Sequence, residues 1–292
     1  MGAVVRYGSY RRSVPHLSSI GILASMPPDV LRAERALHRR MRLAFTAALA
    51  AGVPGRFHAW TQDGLLATCA GNASLGHLST ITGVTEENAA AVGKLLRSPA
   101  WTEPPTVVVS APVDDGLAAT LRACGLTRMT DRVLALRPSE LGSGPTGPEV
   151  VESPDPDAFV DVLLAGFEAD GATAAFIRAE HRAPEVRRFL AVAGETPIAA
   201  GALTVHEDVA IVGGAATLPG HRGTGAQSAL LRHRLSVAAQ AGCDLVVGTA
   251  RLDSVSEANL RRAGFRTVRR SAWMPTSGGG DPGAQFEGPT AR

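Results

Sequence analysis

Two hydrophobic periods alternate along the second half of the chain. In "DAFVDVLLAGFEADG", Phe159, Leu163 and Phe167 recur every fourth residue, which places them on one helical face, and "SPDPD" ahead of them supplies a helix start. "RRFLAVAG" and "IAAGALTVHEDVAIVGGAATL" are apolar runs of strand character, the second folding back on itself at "HED" as a hairpin. A second helix is predicted from about Gly225 to Ala241, with Leu231, Leu235 and Ala238 on one face and Gly242 as its stop. "CDLVVGTA", "SEANLRRA" and "RTVRRSAWM" then predict a strand, a short helix and a final strand. Antiparallel strands followed by a crossover helix and a buried strand imply a mixed sheet covered by helices.

The first half repeats the end of this pattern. "TVVVSAPVDDGLAATLRACGLTRMTDRVLAL" lies against "LVVGTARLDSVSEANLRRAGFRTVRRSAWM" at a constant shift of about 139 positions, without a gap. Val107 falls on Val246, Ala111 on Ala250, Leu121 on Leu260, Arg122 on Arg261 and Gly125 on Gly264. A duplicated domain explains the match; chance agreement between two ordinary strand-helix-strand units is the alternative. Residues 138–149 concentrate Gly, Pro and Ser and read as a linker between domains at 26–137 and 150–275. Residues 1–25 and 276–292 lack periodicity and are expected to be mobile tails.

Composition narrows the function. A chain of 292 residues with 45% hydrophobic content can bury a core in each half, and a formal charge of +2 supplies no global field to favour nucleic acid or an anionic membrane. Lysine occurs once, at Lys94, so arginine carries nearly all the positive charge. Cys69, Cys124 and Cys243 are widely spaced and odd in number, which suggests a reducing cytoplasm and neither a disulfide framework nor a metal knuckle. No apolar run reaches the ~18 residues of a membrane span, and the first 25 residues are too broken for a signal peptide.

Local anion chemistry is concentrated in "LPGHRGTGAQSALLRHRL", residues 218 to 235. A turn running from a strand into a helix N-terminus aims free N–H groups and about half a positive charge outward, and phosphates bind such places. Gly223 and Gly225 permit close backbone approach, and Arg222 adds a charge, with His221 a weaker second. The turn is neither a P-loop, which needs Lys-Ser/Thr after the last glycine, nor a dinucleotide fingerprint.

The segment Arg222-Gly-Thr-Gly225-Ala-Gln227, after the strand "VAIVGGAATLP" and before an amphipathic helix, resembles the acyl-CoA-binding motif R/Q-x-x-G-x-G/A of the GNAT-type N-acetyltransferases. "SEANLRRAGFR" is similar to the family's late segment, in which an asparagine, here Asn259, precedes Gly264 and Phe265. The resemblance spans residues 148 to 275. It implies an α/β (α+β) fold of two GNAT-like domains, each a mixed, mostly antiparallel sheet covered by helices, with a degenerate N-terminal copy. It also implies acetyl-CoA, or another acyl-CoA, as cosubstrate. Backbone amides of Arg222, Gly223, Thr224, Gly225, Ala226 and Gln227 would hold the pyrophosphate. The strand end at Ala216, Thr217 and Leu218 would pair with the pantetheine arm, and Asn259 would contact the cosubstrate near its reactive end.

Two departures stand out. Gln227 occupies a position that is usually Gly or Ala, and the tyrosine that the family often uses to protonate the leaving thiolate is missing, since the only tyrosines are Tyr7 and Tyr10. Ser256 or Ser254 would position a water near the sulfur, unless each simply caps the helix. An attacking amine must lose a proton, so a carboxylate is expected near the acceptor. Glu168 and Asp170, after the first helix of the second half, are the candidates, with a solvated loop end as the alternative. Glu207 and Asp208 read as hairpin residues and Cys243 as a small core residue.

In the first half Glu86 and Glu87 stand where the anion turn would be, and they would repel a pyrophosphate. Asn72, Ser74 and His77 are placed either in the cleft between domains or on a polar loop, and His58 and Trp60 follow strand alternation. The expected activity is transfer of an acetyl group to a small-molecule amine or a peptide N-terminus, with no nucleic-acid or membrane partner. A non-catalytic acyl-CoA-binding or regulatory module is the alternative. A third reading keeps the thioester but assigns it another reaction, or an acyl carrier protein as partner.

Overall fold

The computed structural model describes residues 27–110, 112–140 and 147–276. The expected tails apart from Thr276, together with Met26, Ala111 and residues 141–146 of the linker, lie outside them, as do Tyr7 and Tyr10. The first half runs α1 (Pro28–Ala50), β1 (Phe57–Gln62), β2 (Leu65–Ala70), β3 (Thr80–Thr82), α2 (Ala89–Leu96), β4 (Thr106–Val109), α3 (Asp115–Ala123), β5 (Leu126–Arg128) and β6 (Arg132–Pro138). The second half runs β7 (Glu149–Glu152), α4 (Pro156–Phe167), α5 (Gly171–Arg182), β8 (Arg187–Ala193), β9 (Thr196–His206), β10 (Val209–Thr217), α6 (Ala226–Gln240), β11 (Leu245–Arg251), α7 (Val255–Arg262) and β12 (Arg266–Pro275). The elements read from periodicity in the second half are present, the hairpin turning at Glu207, whose φ is +58°, whereas β7 and α5 are not among those read from sequence.

The fold is mixed α/β with a mostly antiparallel sheet. Its strands run β1-β2-β3-β4-β12-β6-β11-β10-β9-β8-β7, with β5 on β12. The strands do not stay within the linear halves. β6, from the first half, inserts between β11 and β12, with Arg132–Pro138 pairing along Arg251–Leu245. β12 pairs with β6 through Arg266–Arg270, then crosses to pair with β4 through Ser271–Trp273 and with β5 through Trp273–Pro275. Each half therefore donates the strand that completes the sheet of the other. The borders of the sequence-read linker and tail are tied down: Pro138 ends β6, Ser139 donates to the Asp244 carbonyl, and Thr276 donates to the Gly125 carbonyl.

α1 is not among the elements read from sequence, and it bridges the halves. Val30, Ala33 and Ala36 pack on Leu134, Leu136, Val209, Ile211, Leu245 and Val247, while Ala44, Phe45 and Ala48 pack with Phe57, Leu75 and Phe176. The rings of Phe45, Phe57 and Phe176 lie 5.3 to 6.1 Å apart, tying α1, β1 and α5 together. The two segments aligned in sequence share one backbone feature, since Gly125 and Gly264 close α3 and α7 with φ of +79° and +80°.

Trp273, at the crossing end of β12, is 1% exposed in the first-half core among Val107, Val109, Leu117 and Leu121. Trp273→Ala is expected to cost about 3–5 kcal/mol in urea unfolding. Because the halves share strands, the loss should appear in a single transition; two separate transitions, only one of them shifted, would contradict the coupling.

Candidate functional site

A cleft opens in the sheet because β10 leaves one neighbour and keeps the other. It pairs in parallel with β11 only from Val209–Ile211 against Leu245–Val247, yet follows β9 as far as Thr217 opposite Ala199. Between Gly213 and Ala216 its register on β9 slips by one residue, a β-bulge in which Gly214 has φ +50°. Leu218 N–H donates to the Ile198 carbonyl at 3.0 Å, so strand alternation turns the N–H and C=O of Thr217 away from β9, toward the gap left by β11.

The bulge is held from both faces. From α6, Arg234 is buried and donates to the carbonyls of Ala202 at 3.0 Å, Gly213 at 3.4 Å and Leu230 at 3.1 Å. Its approach requires Gly201, where a Cβ would meet the guanidinium carbon at 2.9 Å. Burial, with the nearby Arg40, pushes the Arg234 pKa down to about 9. From α1, Arg40 lies against Gly213 and donates twice to Glu180 of α5, at 2.9 and 3.1 Å. Burial opposes ionisation of Glu180, but the Arg40 guanidinium, by charge and hydrogen bonding, outweighs it and holds the carboxyl below its usual range. His181 of α5 is buried, and its Nδ1 faces the Ile177 carbonyl at 2.9 Å; burial holds the imidazole below its usual pKa and neutral. Nδ1 is then the donor, which leaves Nε2 as a lone pair packed against Gly214 without a partner among the described residues.

The glycine turn follows directly. After one 3₁₀ turn (Pro219–His221), Arg222, Gly223, Thr224 and Gly225 are exposed, and the two glycines have φ of +81° and +83°. Nothing lies within 4 Å of a Cβ built on either glycine, so the backbone faces open space. Gly225 is the N-cap of α6, and no side chain caps the helix, whose first N–H groups point outward. Thr224 Oγ1 donates to the His221 carbonyl at 2.8 Å, and Gln227 Nε2 donates to Thr217 Oγ1 at 3.0 Å, joining the turn to the strand end. A cleft of about 390 Å³ lies between α6 and α7, lined by Arg137 with its ion-pair partner Glu140, Ser228, Arg232 and Arg262. A strand edge leads into a helix N-terminus, and an arginine-rich groove lies further along the same helix.

The other sequence-read residues sort themselves around this surface. Ala216 is buried against Gly166 of α4, where a Cβ would approach that of Ala216 to 2.6 Å. The α4–α5 loop therefore begins beside the end of β10. Glu168 is the left-handed C-cap of α4 and Asp170 the N-cap of α5, both exposed, and Asp170 makes no cap hydrogen bond with its side chain. Ser254 is the N-cap of α7, accepting from Glu257 N–H at 3.2 Å, whereas Ser256 is exposed on the first turn. Asn259 is half-buried and accepts from Arg262 at 2.5 Å. Cys243 is buried in the core, and burial raises its thiol pKa.

The matching turn of the first half is shut. A Cβ on Gly83 would meet the Gly64 carbonyl at 3.3 Å, and the Asn88 side chain closes the turn by accepting from Thr85 N–H and donating to the Gly83 carbonyl, with Glu86 and Glu87 just ahead of α2. Asn72 caps a 3₁₀ turn, accepting from Ser74 N–H, so these two residues are used locally. His58 and Trp60 lie on β1, as strand alternation requires. Sequence reasoning missed Arg40, His181 and Arg234. The pair Gly213-Gly214 inside a strand was the available signal, since glycines there mark bulges and close backbone approach.

Residues 152–265 match the family model described as Acetyltransferase (GNAT) family. This segment is a GNAT acetyltransferase domain. Solved structures share the fold over most of the chain. A GCN5-related N-acetyltransferase from Kribbella flavida superposes with a TM-score of 0.55 at 18% identity, covering 82% of this chain and 96% of that one. One from Sphaerobacter thermophilus gives 0.51 at 14% identity, covering 80% and 90%. A tandem GNAT protein from the clavulanic acid biosynthesis pathway gives 0.52 at 15% identity, covering 86% and 96%. No curated protein matches the chain. The GNAT domain contains the bulge, the glycine turn and the α4–α5 loop. Among the described residues no helix is long and apolar enough to cross a membrane.

The bulge supplies a direct test. A Cβ at Gly214 would lie 2.1 Å from His181 Nε2, on a backbone with φ +50°. Gly214→Ala is expected to destabilise by more than the ~1–2 kcal/mol of left-handed backbone alone. In a His181→Ala background its cost should fall toward that backbone value; an unchanged cost would mean the ring does not shape the bulge.

Proposed function

We propose that the protein transfers an acetyl group from acetyl-CoA to the nitrogen of a small-molecule amine by direct attack. The observation that carries this reading is the unpaired edge of β10 running into the uncapped N-terminus of α6 through two open, positive-φ glycines. Backbone amides from Arg222 to Gln227 hold a pyrophosphate, with Ala226 seating the helix in the core and Gln227 bracing the turn on Thr217. The edge at Ala216–Leu218 pairs with an extended pantetheine arm, and the basic groove of Arg137, Arg232 and Arg262 takes the nucleotide end. Asn259 and Ser256 of α7 lie on the side where the sulfur leaves.

The amine nitrogen forms a bond to the thioester carbonyl carbon, the carbon–sulfur bond breaks, the nitrogen loses a proton and the thiolate gains one. Glu168 and Asp170, beside the end of β10, attract the ammonium form and take its proton, directly or through water. α7 carries no tyrosine, so water positioned by Ser256 returns a proton to the thiolate. That same lack favours a second reading, an acyl-CoA-binding module without turnover. We read the first half as a degenerate copy of the domain that walls the acceptor side.

Calorimetric titration of acetyl-CoA, with desulfo-CoA alongside, tests the cosubstrate site. Micromolar affinity, about −8 kcal/mol, is expected for the wild type and no measurable binding for Gly225→Glu. Absence of wild-type binding would remove the acyl-transfer reading. Glu168→Gln and Asp170→Asn are expected to retain acetyl-CoA affinity while at least one lowers turnover by about 10²-fold. Unchanged turnover in both would take the loop out of the chemistry, and binding without turnover of any amine would favour the module.

A further inference from the structure

At the open end of β11, on the face covered by α1, lies a guanidinium that the fold does not neutralise. Arg132 opens β6, opposite Arg251 on β11 and Arg270 on β12. Leu134 and Leu136 of β6 pack beneath α1, so alternation sends Arg132 to that same face. Its neighbours account for their own charges. Arg270 is buried, donating to Glu34 of α1 at 2.8 Å and to Ser110 at 3.0 Å, and Ser110 in turn donates to Glu34. Asp131, adjacent in sequence, pairs with Arg128 at 3.1 Å. Among the described residues Arg132 has neither a hydrogen-bond nor a carboxylate partner for its side chain, and Arg251 beside it is exposed with none either. Burial and then Arg270 push the Arg132 pKa down to about 10, and burial and then Arg132 hold His77 neutral. A cation so placed lacks only an anion.

β11 separates from β10 after Val247, so Arg132 stands one strand, ~4.8 Å, behind the rim of the gap in which acyl transfer is proposed. The exposed carboxylates of Glu168 and Asp170 begin beside β10 on the opposite rim. The cleft is therefore bipolar, acidic beside β10 and basic beside β11. We infer that Arg132, with Arg251, binds an anionic group on the acceptor, a carboxylate or a phosphate, so that the acceptor is an amine that also carries a negative charge. This inference rests on the acyl-transfer reading for the identity of the ligand, but the anion site itself can be tested without it.

The test uses thermal unfolding of the full chain at constant ionic strength, with sodium acetate or inorganic phosphate replacing chloride. The wild type is expected to gain at least about 2 °C in Tm from one of these anions. Arg132→Gln should lose that gain and, in chloride alone, melt no lower than the wild type, because it removes an unneutralised charge beside Arg270. A purely structural arginine would instead lower Tm. Phosphate held at the glycine turn is separated by Gly225→Glu, which should keep the response that depends on Arg132. The larger response, to acetate or to phosphate, identifies the anion.

With acetyl-CoA supplied, glycine against glycinamide and phosphoethanolamine against ethanolamine form the kinetic arm. The anionic member of at least one pair is expected to have a kcat/KM at least tenfold higher, with the preference lost in Arg132→Gln. No wild-type response beyond chloride, a response retained in Arg132→Gln, or equal use of charged and neutral amines would overturn the inference. Failure of acetyl-CoA to bind alongside an intact anion response would instead sink the acyl-transfer reading and leave the anion site standing.

Discussion

One extra residue in β10 sets the geometry on which the site depends. The bulge between Gly213 and Ala216 lets the strand hold β9 as far as Thr217 while leaving β11 after Ile211. A sheet does not open this way without cost, because carbonyls at a bulge lose regular ladder partners. Here the Ala202 and Gly213 carbonyls accept from Arg234, while Arg40 and His181 close the opposite face. Two guanidiniums near one strand repel each other, and Glu180 offsets Arg40. Three glycines, Gly201, Gly213 and Gly214, leave the room that Arg234, Arg40 and His181 fill. The gap is a built feature whose supports lie outside the turn that the sequence advertises.

The reciprocal placement of β6 and β12 turns two linear halves into one mechanical unit. β6 carries Leu134 and Leu136 under α1 and brings Arg132 to the mouth of the cleft; β12 carries Arg270 to Glu34 and then Trp273 into the opposite core. The first half thus contributes side chains to the second half's face through a strand and a helix, rather than by resting against it. Opening the cleft from that side would require β6 to leave its ladders with both β11 and β12, so this face is expected to be rigid along β6.

Local order was legible in sequence where it depends on neighbours in sequence. The hairpin at Glu207, α6 with its stop at Gly242, and the matched stops at Gly125 and Gly264 follow from period and glycine placement. The exchange of β6 and β12 was not legible, because alternation gives a strand its faces but not its partner, and β6 would read the same in either sheet. α1 escaped the periodicity because its buried face includes Glu34, His38 and Arg40 among small alanines. For the site, the glycine turn was visible as a motif. Its supports were not, since a buried histidine in a helix is recognisable only once the strand glycine that faces it is known.

The two turns that follow corresponding strands differ sharply. Both halves place a turn after a strand with a parallel neighbour, β3 beside β4 and β10 beside β11. In the first, Asn88 spends its side chain closing the turn, Gly83 has no room around it, and Glu86 and Glu87 supply negative charge. In the second, no side chain caps α6 and the space beyond Gly223 and Gly225 is open. A glycine at the N-cap gives up only about a few tenths of a kcal/mol relative to Ser or Asp, so the open helix start costs little. With Asn88 committed to Thr85 and Gly83, the first turn is filled by its own side chain, although α2 gains no side-chain cap from it, whereas the second turn leaves its backbone N–H groups facing open space.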